Sequence, residues 1–309
     1  YREDDKMSEK PKVLVCGGTG YIGGLVIEGL KENGYWVRGL AREQSKEKLA
    51  GRNCDDVFVG EATQKETLKG VCDGIDVVFS SVGLHTSSRK PTLWELDYQA
   101  NINIFEEAKK SGVKHCIFIS TMGGPAMARQ SQLALAREMV VDWLKASGMD
   151  YTAFRPTGYF NDLTLVYDKV ATKGVYKLYG NPDVKMNPLH ARDFADLVVK
   201  AIETPEWRNI EKDVGGPEIF TRREIAELAF KVLGKKPDIC LKPLWQFAVL
   251  MYIMKLVNFN VHHLFQFLHF TWSTPWMAGT KNGHRRLEDY WIELTKEGKV
   301  GTGSSSKGF

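Results

Sequence analysis

Val13-Leu14-Val15-Cys16-Gly17-Gly18-Thr19-Gly20-Tyr21-Ile22-Gly23 runs from a short apolar segment straight into a glycine-rich turn. Leu25, Val26, Ile27 and Leu30 then follow at helical spacing. A buried strand, a tight turn and a helix in that order open a βαβ unit. Gly17 permits the turn, Gly20 lets backbone N–H groups approach a pyrophosphate, and Gly23 lets the helix pack closely on the strand. The helix N-terminus adds partial positive charge. Gly17, Thr19, Gly20, Tyr21, Ile22 and Gly23 are thus candidate ligands of a dinucleotide.

A second strand, Tyr35-Trp36-Val37-Arg38-Gly39-Leu40-Ala41, runs into Arg42 with no acid on its last residues. An NAD site usually places Asp or Glu at this point, for the ribose hydroxyls. Arg42 instead offers a guanidinium fork to a ribose 2′-phosphate, and Lys46 and Lys48 strengthen the positive field. NADP(H) is the expected cofactor. The competing reading leaves Arg42 solvated and gives the ribose to Glu43.

Strand and helix signals then alternate as in a doubly wound sheet. Strands are expected at 56–60, 76–82, 115–120 and 151–155, with helices at about 93–110 and 133–146, the latter stopping at Gly148. The expected fold class is α/β. A Rossmann-like doubly wound parallel sheet occupies 11–157, and a smaller C-terminal α/β lobe with apolar helices occupies 158–295, between tails 1–10 and 296–309. Ligands of such sheets bind beyond the strands' C-terminal ends. That adds Ser81, Val82, Gly83, Ser120, Thr121, Pro156, Thr157, Gly158 and Tyr159 to one crevice. In the second lobe, Thr221 and Glu224 fit a capping box on a helix over 222–233.

The 309 residues carry a formal charge of only +4, with both signs mixed along the chain. No basic patch interleaved with aromatics appears, so nucleic acid is not an expected partner. Cys16, Cys54, Cys72, Cys116 and Cys240 are scattered without a CxxC, which fits a reducing compartment. The chain starts at Tyr1, which reads as a trimmed organellar presequence or a truncation.

Further matches are Ala41-Arg42-Glu43, Lys145-Ala146-Ser147-Gly148-Met149-Asp150-Tyr151-Thr152, Arg155-Pro156-Thr157-Gly158-Tyr159-Phe160, Asn187-Pro188-Leu189-His190 and Gly215-Gly216-Pro217-Glu218. With the glycine turn and the strand end at Ser120, they resemble the atypical short-chain dehydrogenase/reductases of the NmrA-like, divinyl-reductase-like branch, over about residues 12 to 295. The resemblance implies a nicotinamide cofactor and a C-terminal substrate lobe. It also implies a departure. Members with ordinary chemistry carry Tyr-x-x-x-Lys, and spacing back from Lys145 puts Leu133 at the tyrosine and Arg137 at the lysine. Leucine donates no proton and arginine does not turn one over at neutral pH. Arg137 is kept as a cofactor-site candidate, and no residue is assigned as catalytic. Ser120 and Thr121 either bond a ligand or cap a strand. Tyr98 and Tyr159 are stand-in acids or packing groups, and His190 and Asp193 are either near the cofactor or link a strand to a helix.

Between Pro243 and Thr280 the only formal charge is Lys255. The segment is too broken for a spanning helix, which needs about twenty apolar residues. Two amphipathic stretches in a membrane interface, with Trp245, Trp272 and Trp276 at headgroup depth, are one reading. Contact with a protein partner or the substrate lobe is the other. His262, His263 and His269 lack a nearby carboxylate or cysteine, so no metal is expected. The leading expectation is an NADP(H)-binding subunit of an organellar membrane complex, in plastid or mitochondrion, with protein partners and peripheral membrane contact. The alternative is an NADPH-dependent reductase of a hydrophobic substrate.

Overall fold

The computed structural model describes residues 10–83, 88–275 and 277–299. Trp276 and most of the two tails lie outside them. The first half alternates as the sequence predicts: β1 (Lys12–Cys16), α1 (Tyr21–Glu32), β2 (Trp36–Ala41), α2 (Lys46–Ala50), β3 (Asp56–Val59) and β4 (Val77–Ser80). A π-helical stretch, Trp94–Gln99, leads into α3 (Ala100–Lys110). Then come β5 (His115–Ile119), α4 (Gly124–Ala128), α5 (Gln132–Ser147) and β6 (Asp150–Pro156). Gly148 ends α5 in the left-handed conformation, φ 78°, as its place after the helical run requires.

The second half adds α6 (Phe160–Lys173), β7 (Tyr176–Tyr179), β8 (Lys185–Met186), α7 (Ala191–Glu203), β9 (Ile210–Val214) and β10 (Phe220–Thr221). It closes with α8 (Arg222–Val232), β11 (Ile239–Lys242), α9 (Leu244–Val257), α10 (Phe259–Thr271) and α11 (Leu287–Lys296). The main sheet has seven strands in the order β3-β2-β1-β4-β5-β6-β9, all parallel. Both β9 and α7, which packs on α1, come from beyond residue 157.

Alternation along each strand feeds two cores. Val13, Val15, Phe79 and Phe154 meet α1 and α7 through Val26, Ile27, Phe194 and Val198. Leu14, Cys16, Val78, Cys116 and Phe118 meet α3 and α5 through Ile104, Phe105, Val140 and Leu144. Burial pushes the Cys16 and Cys116 thiols up, so both behave as inert packing groups. A third core gathers α6, α8 and α11 around Phe160, Tyr167, Phe230 and Trp291. Thr221 and Glu224 form the expected capping box at the head of α8.

The apolar segment is a helical hairpin. Asn258 ends α9 and caps α10, accepting from the N–H groups of Asn260 and Val261. Asn260 pins the hairpin to the rest of the molecule, accepting from Leu93 N at 3.0 Å and donating to the carbonyls of Ser88 and Pro91. Phe267 and Phe270 pack on Met127 and Ala134. No helix among the described residues is long and apolar enough to cross a membrane.

Candidate functional site

The strand order reverses direction at β1, because β2 lies on one side of it and β4 on the other. A crevice opens there beyond the strand ends, the usual ligand position in such sheets. Gly17 carries φ +87°, and a Cβ on it would stand 2.5 Å from the Ser81 hydroxyl oxygen. A Cβ on Gly23 would meet the Gly17 carbonyl oxygen at 2.3 Å. The turn and the first helical turn therefore touch backbone to backbone. No side chain caps α1, and its first turn holds no acid, so its leading N–H groups and dipole are left for an anion.

The glycine turn, Arg42 and the strand-end candidates line one cavity of about 2010 Å³, whereas Lys46, Tyr98 and Asp193 do not. Gly17, Thr19, Gly20, Tyr21, Ile22 and Gly23 form one end with Arg42, Ser81, Val82 and Gly83, and Ser120, Arg137, Pro156 and Thr157 line the same wall. Arg42 is half exposed and stands 4.0 Å from Glu61. Lys48 and Arg52 line the cavity as well, and Arg52 reaches back to Glu28. Glu43 is tied to Lys46 in a solvated ion pair instead of facing the cavity. Arg52 was invisible in the sequence reading because it lies past the strand, on the turn after α2.

The positions of the missing Tyr-x-x-x-Lys pair are filled by inert groups. Leu133 is buried and packs with Leu93 and Ala136. Arg137, one turn on, donates to the fully buried Asp97 carboxylate at 2.8 Å. A Cβ on Gly83 would collide with both, so that glycine makes room for the pair. The Ser120 hydroxyl donates to Glu138 at 2.5 Å, and Glu138 in turn holds Arg155 through both carboxylate oxygens. Tyr159 lines the cavity, but its hydroxyl is buried without a hydrogen-bond partner among the described residues. Tyr98 packs edge-on against Trp94. His190 caps α7 by accepting from Arg192 N, and Asp193 holds Arg285 and the backbone of His284. Asp193 thus ties the head of α7 to the loop before α11 and not to a strand, and His190 also borders the cavity.

Asp162 was not foreseen. Its carboxylate accepts from Tyr159 N at 3.0 Å and lies on the cavity wall. Asp162 is exposed to the cavity by accessible surface, yet the protein packed around it still pushes the carboxyl up to about 6, the hydrogen bond opposing that rise only in part. A carboxyl with that value is a fair proton source near neutral pH.

The far end of the cavity is walled by the hairpin. Phe247, Leu250, Leu264, Phe267, Leu268 and Trp272 all line it. Trp272, grouped in the sequence reading with Trp245 at a membrane interface, instead turns inward against Phe247, with ring centroids 4.4 Å apart. Trp245 does point outward and is 65% exposed. The segment therefore has two faces, which a window of mean hydropathy cannot separate.

Parallel strands, a glycine turn under a helix N-terminus and a crevice at the point where strand order reverses define a dinucleotide-binding α/β protein. Residues 17–205 match the model of the NAD(P)H-binding family, and the chain belongs to that family, among the atypical short-chain dehydrogenase/reductases. It is 28% identical over 250 residues to the chloroplastic divinyl chlorophyllide a 8-vinyl-reductase of Cucumis sativus, covering 75% of this chain. The chain spans 59% of that relative's length. It is 24% identical over 250 residues to a photosystem II assembly factor of Trieres chinensis, covering 80% of this chain and 74% of the relative. Among solved structures, an NADPH-dependent quinone oxidoreductase of Escherichia coli, complexed with NADPH, shares the fold. The TM-score is 0.66 at 19% identity, over 96% of this chain and 93% of that one.

The choice between NADP(H) and NAD(H) rests on Arg42. Arg42→Ala should weaken NADPH binding by about 1.5–3 kcal/mol, the range for a hydrogen bond to a charged group. NADH affinity should barely move. Titration of cofactor fluorescence checks this, and an equal loss for both nucleotides would remove Arg42 from the role.

Proposed function

We propose that this chain is an NADPH-dependent reductase of a bulky, largely apolar substrate. The observation that carries the reading is the continuity of the cavity. It runs from the glycine turn to an aromatic wall supplied by α9 and α10, and its volume exceeds the usual range for small-ligand sites, about 300–1,000 Å³. In this reading Gly17, Thr19, Gly20, Tyr21, Ile22 and Gly23 cradle the pyrophosphate, and Arg42, Lys48 and Arg52 take the 2′-phosphate. Ser81, Val82, Gly83, Ser120, Arg137, Pro156 and Thr157 border the nicotinamide half. When bound, NADPH supplies the hydride. Leu133 keeps water from that wall, and Asp162 is the proton source that replaces the absent tyrosine. The vinyl-reductase activity in the name of the cucumber relative is of this kind.

A second reading keeps the chain as a subunit of an organellar membrane complex. The outer face of α9 favours it: Leu256 is 90% exposed, and Trp245, Tyr252 and Val249 stand out beside it. No Asp or Glu occurs from residue 239 to residue 287, whereas Lys242, Lys255 and Lys281 do, Arg285 and Arg286 being held by Asp193 and Glu218. That pattern suits an anionic lipid surface. A photosystem II assembly factor and chloroplastic reductases among the relatives are consistent with an organelle.

One experiment separates the two. The purified chain is incubated with NADPH deuterated at the nicotinamide C4 position and a lipophilic extract of its source tissue. Deuterium should enter an extract component, and simple ketones should stay unreduced because Leu133 and Arg137 cannot run the ordinary proton transfer. If no label moves while native chain co-sediments with a membrane complex, the reductase reading falls and the subunit reading replaces it.

A further inference from the structure

Arg222 opens α8, yet it is 91% buried by its 9% residual exposure. Its Nη1 donates to the carbonyl oxygens of Tyr179, at 2.5 Å, and Trp272, at 3.4 Å. Its guanidinium carbon lies 4.8 Å from the Trp272 ring centroid. Tyr179 stacks on the same indole with the planes 11° apart, and Phe247 closes the group at 4.4 Å. No Asp or Glu among the described residues pairs with this cation, and Tyr176 is the only acidic group felt by it. Burial pushes the guanidinium down to about 10, which still leaves it charged at neutral pH.

A buried charge without a counter-charge is costly, and carbonyl and indole contacts offset only part of that cost. The arrangement leaves a specific part of the group unused. With Nη1 committed to the two carbonyls, the edge formed by Nε and Nη2 has no acceptor among the described residues, and Arg222 lines the cavity. That edge presents two parallel N–H groups, the fork that matches both oxygens of one carboxylate. A single cation in an aromatic box suits a monoanion better than a phosphate dianion.

We infer that Arg222 anchors the substrate's carboxylate, so the cavity takes an aromatic or polyene carboxylic acid with its anion under the hairpin and its reducible part toward the cofactor. This deepens the reductase reading and rests on it for the second half of that statement. The first half is a claim about binding alone. The Tyr179, Phe247 and Trp272 rings hold the apolar body, and the Nε–Nη2 edge fixes which end enters first.

The test compares anthracene carboxylate with anthracene carboxamide, two probes of nearly equal shape and apolar area. Quenching of probe fluorescence by the full-length chain, with NADP⁺ present, reads their affinities. The carboxylate should bind about tenfold or more tightly than the amide, as a charge-assisted fork implies. Arg222→Met keeps an aliphatic stem against Trp272 and should erase that preference while NADPH binding stays intact. Arg222→Lys keeps the charge but lacks the fork, and should retain only part of the preference.

Equal affinity of the two probes for the wild-type chain would overturn the proposal, and needs no variant to fold. So would a carboxylate preference that survives in Arg222→Met. Tighter binding of naphthyl phosphate than of the carboxylate would overturn the carboxylate assignment. Because no turnover is read, a chain that shows the preference but transfers no hydride would sink the reductase reading and leave the anchor standing.

Discussion

Gly23→Ala is expected to cost the chain most of its NAD(P)H affinity. The added Cβ would lie 2.3 Å from the Gly17 carbonyl oxygen, 2.6 Å from its carbonyl carbon and 2.9 Å from Gly18 Cα. All three are backbone atoms of the turn itself, so no side chain can swing aside. Either the turn moves off its pyrophosphate position or α1 tilts away from β1. Overpacking of this kind costs about 1–3 kcal/mol, and here it falls on the binding geometry, so affinity should drop by roughly 5- to 150-fold. Gly51→Ala is the control. It sits at the end of α2 with φ −66°, and its Cβ would meet nothing nearer than 3.6 Å. Fluorescence titration with NADPH reads both variants. Wild-type affinity in Gly23→Ala would remove the glycine turn from the cofactor site.

Glu138→Ala should produce the largest loss of stability. Glu138 and Arg155 are both nearly buried, joined by contacts of 3.0 and 2.5 Å, with the Ser120 hydroxyl on the same carboxylate. Removing the acid strands a guanidinium and a hydroxyl in the interior. Breaking one side of a buried pair costs about 3–5 kcal/mol, equivalent to a fall in melting temperature of roughly 5–8 °C for a chain of this size. Arg155→Met in the same chain should recover part of the loss, since the stranded charge goes too. Thermal melts of the single and double variants check this. A single variant that melts like wild type would mean that Glu211, 3.6 Å from Arg155, has taken over the charge.

The sheet and the cofactor end of the cavity were legible in sequence because their signals are local. Short, nearly continuous apolar runs mark β1, β4 and β5, shorter ones mark β2 and β6, and the glycines mark backbone contacts a few residues apart. The far end was not legible, because its parts meet only in three dimensions. Arg222 reads as an ordinary first-turn residue of a capped helix until Tyr179 and Trp272 close over it. The hairpin reads as uniformly apolar, although Trp272 faces inward and Trp245 outward. Asp162 looks like one more helix-start acid, and only the walls around it raise its pKa.

The seventh strand has a consequence for anyone cutting this chain. β9 supplies the whole outer hydrogen-bond ladder of β6, from Thr152 opposite Ile210 to Pro156 opposite Val214. Residues 157–209, holding α6 and α7, separate them in sequence. A fragment stopped at residue 157 would keep every glycine of the cofactor turn but leave β6 as a naked edge. Its exposed ladder, beside apolar side chains that α7 normally covers, is a template for strand addition by a second copy. Such a fragment should precipitate as pairs and higher aggregates, whereas one continued through Val214 would carry its own edge protection.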